Sequence, residues 1–469
     1  MEVNDLASKI ATLPLESQQD EDPGPGRDAR AAVALQTVGC KLNQAESESL
    51  ARKFLSAGFS VVAPDKNPDV YILNTCTVTH IADRKCRQHL RSFHRRDPGA
   101  LVLAIGCYVD RAAAEVQVEG VDLAIGNADK GRIIEMVEAQ LGEESISNRG
   151  NGHHAPLAPF RTRALVMVQD GCNQHCSYCI VPHVRGRERS VPGETVIAEV
   201  KARANEGCKE VILTGTRIGA YGGVGGLEGL VQRILDETTI PRLRLSSMQP
   251  RELSPSLIQL WRDNERVCRH LHLALQSGSD AALKRMGREY SISEYEVAVN
   301  AVRDAIPDIA ITTDVIVGFP GESEEEFEES YRFCERMGFA RLHVFPYSAR
   351  PSTLAARMPN RVPEKTKKTR SQIMLKLAKR STQDFRRRFQ GETMPVLWEE
   401  RKKDHLWIGH TDNYLKVITR SDEPLHNCLL NTRLGSEYED ALWGDIGDSN
   451  IKVQNEKWPI GQRRVSNDD

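Results

Sequence analysis

The sequence predicts an α/β protein with three parts: an N-terminal doubly wound parallel-sheet domain, a central partial (β/α)6 barrel and a small C-terminal antiparallel β-barrel. Three observations carry this. Across residues 31–150, apolar runs alternate with segments of helical period, the pattern of parallel strands covered by helices. Across 160–385 the strand-then-helix alternation gives six units, which suits a barrel or partial barrel. Across 386–455 the runs become short and alternating, separated by turn residues, as in a small closed sheet.

A chain of 469 residues has room for about three such domains. With 40% hydrophobic and 27% charged residues and a net charge of −2, it reads as an ordinary soluble protein. That balance excludes a uniformly basic coat for nucleic acid but not a local basic face. Residues 1–30 are polar, including Gln18-Gln-Asp-Glu-Asp-Pro-Gly-Pro-Gly26, and predict a disordered extension that is neither signal peptide nor membrane anchor. No later run is long enough to span a bilayer, so no membrane partner is expected. Eleven cysteines without a secretion signal predict reduced thiols or metal ligands in a cytoplasmic protein.

In the first domain, Val33–Val38 leads to a helical segment from Asn43 to Ala57, and Asp69–Leu73 to one from about Thr79 to Arg96. Leu101–Ile105 and Val121–Ile125 repeat the theme. Each of the first three runs ends in a cysteine: Val38-Gly-Cys40, Asn74-Thr-Cys76 and Ile105-Gly-Cys107. Open α/β sheets bind ligands outside the carboxyl ends of their strands, so these thiols are expected to meet on one edge as a metal site. The alternative is three small buried hydrophobes. Cys86, placed mid-helix, reads as a non-ligand, as do Cys208, Cys268, Cys334 and Cys428. Its helix also carries Arg84, Lys85, Arg87, Arg91, Arg95 and Arg96, which read either as a solvated face or as a phosphate-facing one.

The stretch Gly171-Cys-Asn-Gln-His-Cys-Ser-Tyr-Cys-Ile180 follows the apolar run Ala164–Val168 and holds Cys172, Cys176 and Cys179. Thiolates this close suit a soft metal centre. A [4Fe–4S] cluster usually takes four cysteines, and no fourth follows locally, so one iron would keep an open, reactive position. Structural zinc completed by His175 or His183 is the other reading; a disulfide ranks last because of the compartment. Further strands are expected at Glu210–Thr214, Arg242–Ser246, His270–Leu275, Ile309–Val317 and Arg341–Phe345, most followed by polar or glycine-rich loops. Active sites of such barrels lie at the strands' C-terminal ends, so these loops should ring the cysteine stretch.

Cys-x3-Cys-x2-Cys, with Tyr178 before the third cysteine, resembles the signature of the radical S-adenosylmethionine (SAM) enzymes. Gly171–Pro182 running into Arg185-Gly-Arg-Glu-Arg-Ser190, with Thr37–Asn43, Asn74-Thr-Cys76, Ile105-Gly-Cys-Tyr108, Leu275–Asp280 and Val317–Glu322, is similar to the methylthiotransferase branch from residue 33 to about 450. The resemblance implies that Cys172, Cys176 and Cys179 hold a [4Fe–4S] cluster whose open iron chelates SAM. One electron then splits SAM into a 5′-deoxyadenosyl radical that abstracts a hydrogen from the substrate. It implies a second [4Fe–4S] cluster on Cys40, Cys76 and Cys107, presenting the sulfur to be inserted, and a second SAM that methylates that sulfur. Tyr178, Thr214, Gly215, Ser246, Gln276 and Ile316 fall where the family touches SAM. No catalytic side chain is assigned beyond the cluster ligands. Two positions depart from the family pattern: Ala274 replaces a proline, and Ser352 a glycine.

Between Val362 and Gln390, ten Lys or Arg face two acids in a helical pattern. Met394–Trp398, Leu406–Ile408 and Tyr414–Ile418 follow as short strands, and Gly409–Val417 resembles the RNA-binding TRAM domain. Basic residues with Trp398, Trp407 and Tyr414 suit backbone contact with base stacking, or in part a barrel core. Residues 456–469 are expected to be a disordered tail. The resemblance implies an enzyme that puts a methylthio group on threonylcarbamoyladenosine beside a tRNA anticodon, with the tRNA anticodon arm as partner. It also implies an electron donor and a sulfur source, neither of which the sequence identifies. Related branches act on isopentenyladenosine or on a ribosomal-protein aspartate. An RNA-binding protein with structural metal sites is the alternative of another class.

Overall fold

The computed structural model describes residues 31–117, 120–142 and 162–447. The segments expected to be disordered, 1–30 and 456–469, lie outside the described residues. Two compact units divide the described residues: one gathers the N-terminal sheet with Asp170–Glu188 and Ser348–Ala356, the other the barrel strands and residues 357–447.

In the first unit, β1 (Ala32–Thr37), β2 (Ser60–Val61), β3 (Val70–Thr75), β4 (Leu101–Gly106) and β5 (Leu123–Ile125) form one parallel sheet in the order β2-β1-β3-β4-β5. Its strands are almost continuously apolar because both faces are covered. Ala34, Tyr71, Leu73 and Val102 pack on one side with Cys86, Leu90 and Phe93, while Val33, Ile72, Leu103 and Ile105 pack on the other with Leu50, Phe54 and Val137. The doubly wound expectation therefore holds. The two-residue β2 was not foreseen, being too short for any period.

In the second unit, β6 (Arg163–Asp170), β7 (Arg189–Ser190), β8 (Glu210–Gly215) and β9 (Arg242–Leu245) form one sheet. Next come β10 (Ser247–Met248), β11 (His270–Leu273), β12 (Ala310–Val317) and β13 (Arg341–Pro346), which form another. Alternate residues such as Val166, Val211, Leu243, Leu271, Val315 and Leu342 face the helices and build the largest core. Because side chains alternate along a strand, the positions between them face the other way. Those inner positions carry Glu210, Arg242, Arg244, His270, His272, Asp314, Arg341 and His343.

The C-terminal strands β14 (Thr393–Arg401), β15 (Leu406–Thr411), β16 (Lys416–Arg420), β17 (Leu429–Tyr438) and β18 (Ala441–Asp445) close a barrel in the order β14-β15-β16-β18-β17. The expectation of an antiparallel barrel needs one correction, since β16 and β18 are parallel. The segment after β16 carries β17 across to pair with β14, and β18 then returns beside β16. The barrel sits against charged inner residues of β8 and β9. Arg242 donates to the carbonyls of His410 (3.0 Å) and Pro395 (2.6 Å), and Arg244 to that of Asp412 (2.7 Å) and to Glu210 (2.6 Å).

Two observations bear on the RNA-binding expectation for this region. Trp398 is fully buried, Trp407 is nearly so with Nε1 donating to Ser421 O at 3.2 Å, and the Tyr414 ring lies 4.1 Å beneath the Arg244 guanidinium. Trp398 and Trp407 are thus barrel core, whereas Tyr414 is half-buried with one ring face taken by Arg244. The basic run is also largely spoken for. Along the helix Glu364–Arg387 and just beyond it, Arg370 pairs with Glu322 (2.7 Å), Arg380 with Glu335, Arg386 and Arg387 with Glu437, and Arg388 with Asp308 (3.1 Å). Lys365, Lys368, Lys376 and Lys379 stay exposed.

Candidate metal centres and cofactor site

Strands β1, β3 and β4 are parallel neighbours, so the residues just past their C-terminal ends line one sheet edge. Cys40 caps the helix Lys41–Ser56, Cys76 follows β3, and Cys107 opens the helix Cys107–Gln117. Cys76 and Cys107 are buried and Cys40 is exposed. Gly39 brings the first strand end close: with φ +125°, a Cβ there would lie 2.7 Å from Cys76 Cβ and 3.1 Å from its sulfur. Asn43 fixes the edge by donating to Val38 O (3.0 Å) and Thr75 O (2.9 Å), and Asn74 donates back to Asn43 O (2.9 Å). Burial pushes the Cys76 thiol well up, with Cys40 adding to the rise. Burial also raises Cys107, against the pull of Arg185 and Lys130.

The other three cysteines occupy the loop after β6, and all are partly exposed. Gly171, at φ +73°, lets the loop run against the Arg187 carbonyl, where any Cβ would collide. Cys172 N donates to Gly186 O (3.1 Å) and Cys179 N to Cys176 O (3.0 Å); Ser177 O accepts from Ala355 N (2.7 Å). Ile180 and Val184 pack on Cys107, so loop and sheet edge belong to one compact unit.

Among the described residues, the one set of three His, Cys, Asp or Glu donors lying within 4.8 Å of one another is His272, Asp314 and His343. Neither cysteine triad closes that tightly, with or without His175 or His183, both exposed. A single zinc, with bonds of about 2.0–2.3 Å, needs its donors nearly in contact. Three soft, separated donors fit a multi-iron cluster instead.

The barrel positions expected at SAM lie at successive strand ends. Thr214 and Gly215 close β8, Ser246 sits between β9 and β10, Gln276 lies beyond β11, and Ile316 is near the end of β12. Gln276, at φ +71°, bridges to β12: its N–H donates to Asp314 O (2.8 Å) and its carbonyl accepts from Ile316 N (2.9 Å). A Cβ on Gly215 would come within 2.7 Å of Gln169 O. Tyr178 belongs to the first unit and is partly buried.

The chain matches the radical SAM superfamily over residues 166–334 and the uncharacterized protein family UPF0004 over residues 32–126. It is 37% identical over 397 residues to a threonylcarbamoyladenosine tRNA methylthiotransferase, MtaB, of Aquifex aeolicus, covering 82% of this chain and 96% of that one. The chain belongs to the radical SAM methylthiotransferase family. It is also 33% identical over 441 residues to a tRNA-2-methylthio-N(6)-dimethylallyladenosine synthase of Acetivibrio thermocellus, covering 88% of this chain and 90% of that one. The solved radical SAM methyltransferase TsrM of Kitasatospora setae, with cobalamin and a [4Fe–4S] cluster bound, shares the fold. Its TM-score is 0.53 at 16% identity, over 70% of this chain and 77% of that one. As a radical SAM enzyme, this methylthiotransferase uses a [4Fe–4S] cluster and SAM.

The methylthiotransferase also contains a buried charge network that the sequence did not reveal. Arg185, 3% exposed, donates to Glu46 (3.0 Å), Asp170 (2.8 Å) and Asn43 (2.6 Å). Lys130 reaches Glu46 at 2.7 Å, and Asn127 donates to Cys107 Sγ (3.7 Å) and Val184 O (2.8 Å). Burial alone would raise the Glu46 carboxyl, but Lys130 and Arg185 outweigh it and hold the group down at about 2. Thus Arg185, just past the loop cysteines, and Asn43 and Glu46, just past Cys40, are locked together.

Both departures from the family pattern have local explanations. Ala274 N–H donates to Met248 O at 3.1 Å, a ladder bond that proline lacks the hydrogen to make. Ser352 holds φ +71°, the left-handed conformation that glycine adopts freely. Ser352→Gly is therefore expected to raise stability by about 0.5–1 kcal/mol, read as a small upward shift in the thermal midpoint of iron-loaded enzyme. A lower midpoint would mean that the Ser352 side chain holds the turn.

Proposed function

We propose that this enzyme inserts a methylthio group into threonylcarbamoyladenosine in the anticodon arm of tRNA. The observation that carries the reading is the 37% identity, over 96% of its length, to the relative named for that nucleoside. Cys172, Cys176 and Cys179 would hold the [4Fe–4S] cluster, with Tyr178, Thr214, Gly215, Ser246, Gln276 and Ile316 around SAM. Cys40, Cys76 and Cys107 would hold a second [4Fe–4S] cluster for the sulfur. Bound there, the two clusters supply reductive cleavage of SAM and a site for the incoming sulfur. The chain's own residues orient the donors, with Gly39 allowing the close approach and Asn43 and Asn74 fixing the edge. The electron donor and sulfur source are external, and the reaction is cytoplasmic. Residues 31–150, 160–385 and 386–455 would serve as sulfur-site, radical and RNA-binding domains.

The test is nucleoside mass spectrometry of tRNA from cells with and without the gene. The methylthio derivative of threonylcarbamoyladenosine should vanish with the gene. Loss of methylthio-isopentenyladenosine instead would favour the second reading, which the 33% identity to a dimethylallyladenosine synthase supports. Unchanged tRNA would move the substrate to protein.

With Trp398 and Trp407 in the core and the Tyr414 ring held by Arg244, the described barrel residues offer a base Tyr438, 40% exposed, with Trp443 packed edge-on at 5.7 Å. Stacking on an aromatic contributes about 1–3 kcal/mol per base. Tyr438→Ala is therefore expected to weaken anticodon-arm binding about 5-fold to 150-fold at matched salt, while leaving the slope of log affinity against log salt unchanged. Removing Lys376 and Lys379 should instead flatten that slope, by about 0.7–0.9 for each phosphate no longer neutralised. Fluorescence anisotropy across a salt series reads both, and equal affinities for wild type and Tyr438→Ala would exclude the stacking role.

A further inference from the structure

We infer that His272, Asp314 and His343, side by side on the inner face of β11, β12 and β13, form a binding site for one divalent transition-metal ion. This site is separate from the six cysteines and independent of the substrate reading above. The strands run parallel, with His272 opposite Thr312 and Asp314 opposite His343. Asp314 thus lies between the two rings: His272 Nε2 is 3.3 Å from Oδ2, His343 Nδ1 is 3.1 Å from Oδ1, and the rings stack with centroids 5.6 Å apart. Neighbouring donors around an ion with bonds of about 2.1 Å stand roughly 3.0–3.4 Å apart, so each His–Asp pair already holds that spacing, and all three donors lie within 4.8 Å of one another.

Three further features favour an ion over a plain hydrogen-bonded row. First, the His272 ring is oriented from behind, with Nδ1 3.0 Å from Thr312 Oγ1, which in turn lies 3.3 Å from His270 Nε2. A second partner of this kind fixes the tautomer that turns Nε2 toward an ion. Second, the donors are reachable: the side chains of Asp314 and His343 are each 29% exposed and that of His272 12%. Third, the set is complementary in charge, one carboxylate with two imidazoles, and leaves open positions for water or an oxygen ligand. Arg341, two positions back on β13, is the cation to note on the same face. Nitrogen-rich donors select Zn²⁺, Fe²⁺ or Co²⁺ over Mg²⁺ and Ca²⁺. Ile316 follows Asp314 by two positions on the same face, so the ion would lie about 7 Å along the strand from it.

The test uses full-length enzyme with both clusters reconstituted anaerobically, stripped of loose metal with a chelator and exposed to ZnCl2. After gel filtration, elemental analysis should find one zinc per chain above background with iron unchanged. The zinc absorption edge should show only nitrogen and oxygen neighbours. His343→Ala and His272→Ala should each lower zinc affinity at least 10-fold, measured against a chromophoric chelator, at unaltered iron content. Should His272→Ala lose iron as well, the more exposed His343→Ala decides. Sulfur in the zinc shell, no zinc retained by wild type at tens of micromolar, or equal zinc in wild type and His343→Ala would each overturn the inference.

Discussion

Enzyme carrying Cys40→Ala, Cys76→Ala and Cys107→Ala together is expected to keep about half its iron and to cleave SAM under reduction, yet to form no methylthiolated nucleoside. The expectation follows from where the proposed ligands stand. Cys40, Cys76 and Cys107 come from three different strand ends, while Cys172, Cys176 and Cys179 come from one loop with its own backbone bonds. Emptying the first set removes no donor of the second. The substitutions are small, and at position 107 Asn127 loses a long sulfur contact but keeps Asp110 (2.6 Å) and Val184 O (2.8 Å). The converse variant, alanine at 172, 176 and 179, should also keep about half the iron but release no 5′-deoxyadenosine. Iron per chain and chromatographic assay of 5′-deoxyadenosine decide. If the first variant stays folded, keeps its loop iron and still fails to cleave SAM, the two triads do not divide the labour. If either variant loses all its iron, they are not separate sites. Cys86→Ala serves as the control. Its sulfur lies 3.6 Å from the Cys76 carbonyl, inside the sheet–helix core, and burial pushes its thiol up to about 12. Iron should not change.

The strand-end cysteines were legible because a parallel sheet converts a sequence position, just after an apolar run, into a spatial one. What stayed hidden depends on partners with no local signal. Glu46 and Lys130 are 84 residues apart and Glu46 and Arg185 139 apart, so no window of sequence pairs them. The partners of the basic run were hidden for the same reason: Glu322, Glu437 and Asp308 arrive from other elements. Which of Trp398, Trp407 and Tyr414 belong to the core stayed open because alternation marks a strand without saying which of its aromatics a narrow barrel consumes. The histidines of β11 did carry a signal. In His270-Leu-His-Leu273 the polar residues fall at alternate positions of a strand flanked by buried leucines, the mark of an inner face with work to do.

Glu46→Ala is expected to destabilise the first unit by about 3–5 kcal/mol, the usual cost of removing one partner from a buried charge network. Arg185 would keep only Asp170 and Asn43, and Lys130 only Asn74 Oδ1 at 3.3 Å. Neither cation has easy access to water, since their side chains are 3% and 11% exposed. The effect has a pH signature. The Glu46 carboxyl is depressed from 4.5 to about 2 in the fold, because the two cations overcome its burial. A depressed acid contributes stability that is fully present above its unfolded value and is lost as pH falls through the folded one. Wild-type stability should therefore drop by about 3 kcal/mol on Glu46's account between roughly pH 4.5 and 2, and Glu46→Gln should lack that part of the slope. Among the described residues the tryptophans, at 261, 398, 407 and 443, lie in the second unit, so their fluorescence will not report this loss. Hydrogen exchange of peptides covering β1, β3 and β4 will, measured on cluster-free chain so that acid release of iron does not intrude. Protection at pH 7 equal to wild type in Glu46→Ala would mean that water or a neighbouring carboxylate replaces Glu46, and that the locked sheet edge does not depend on it.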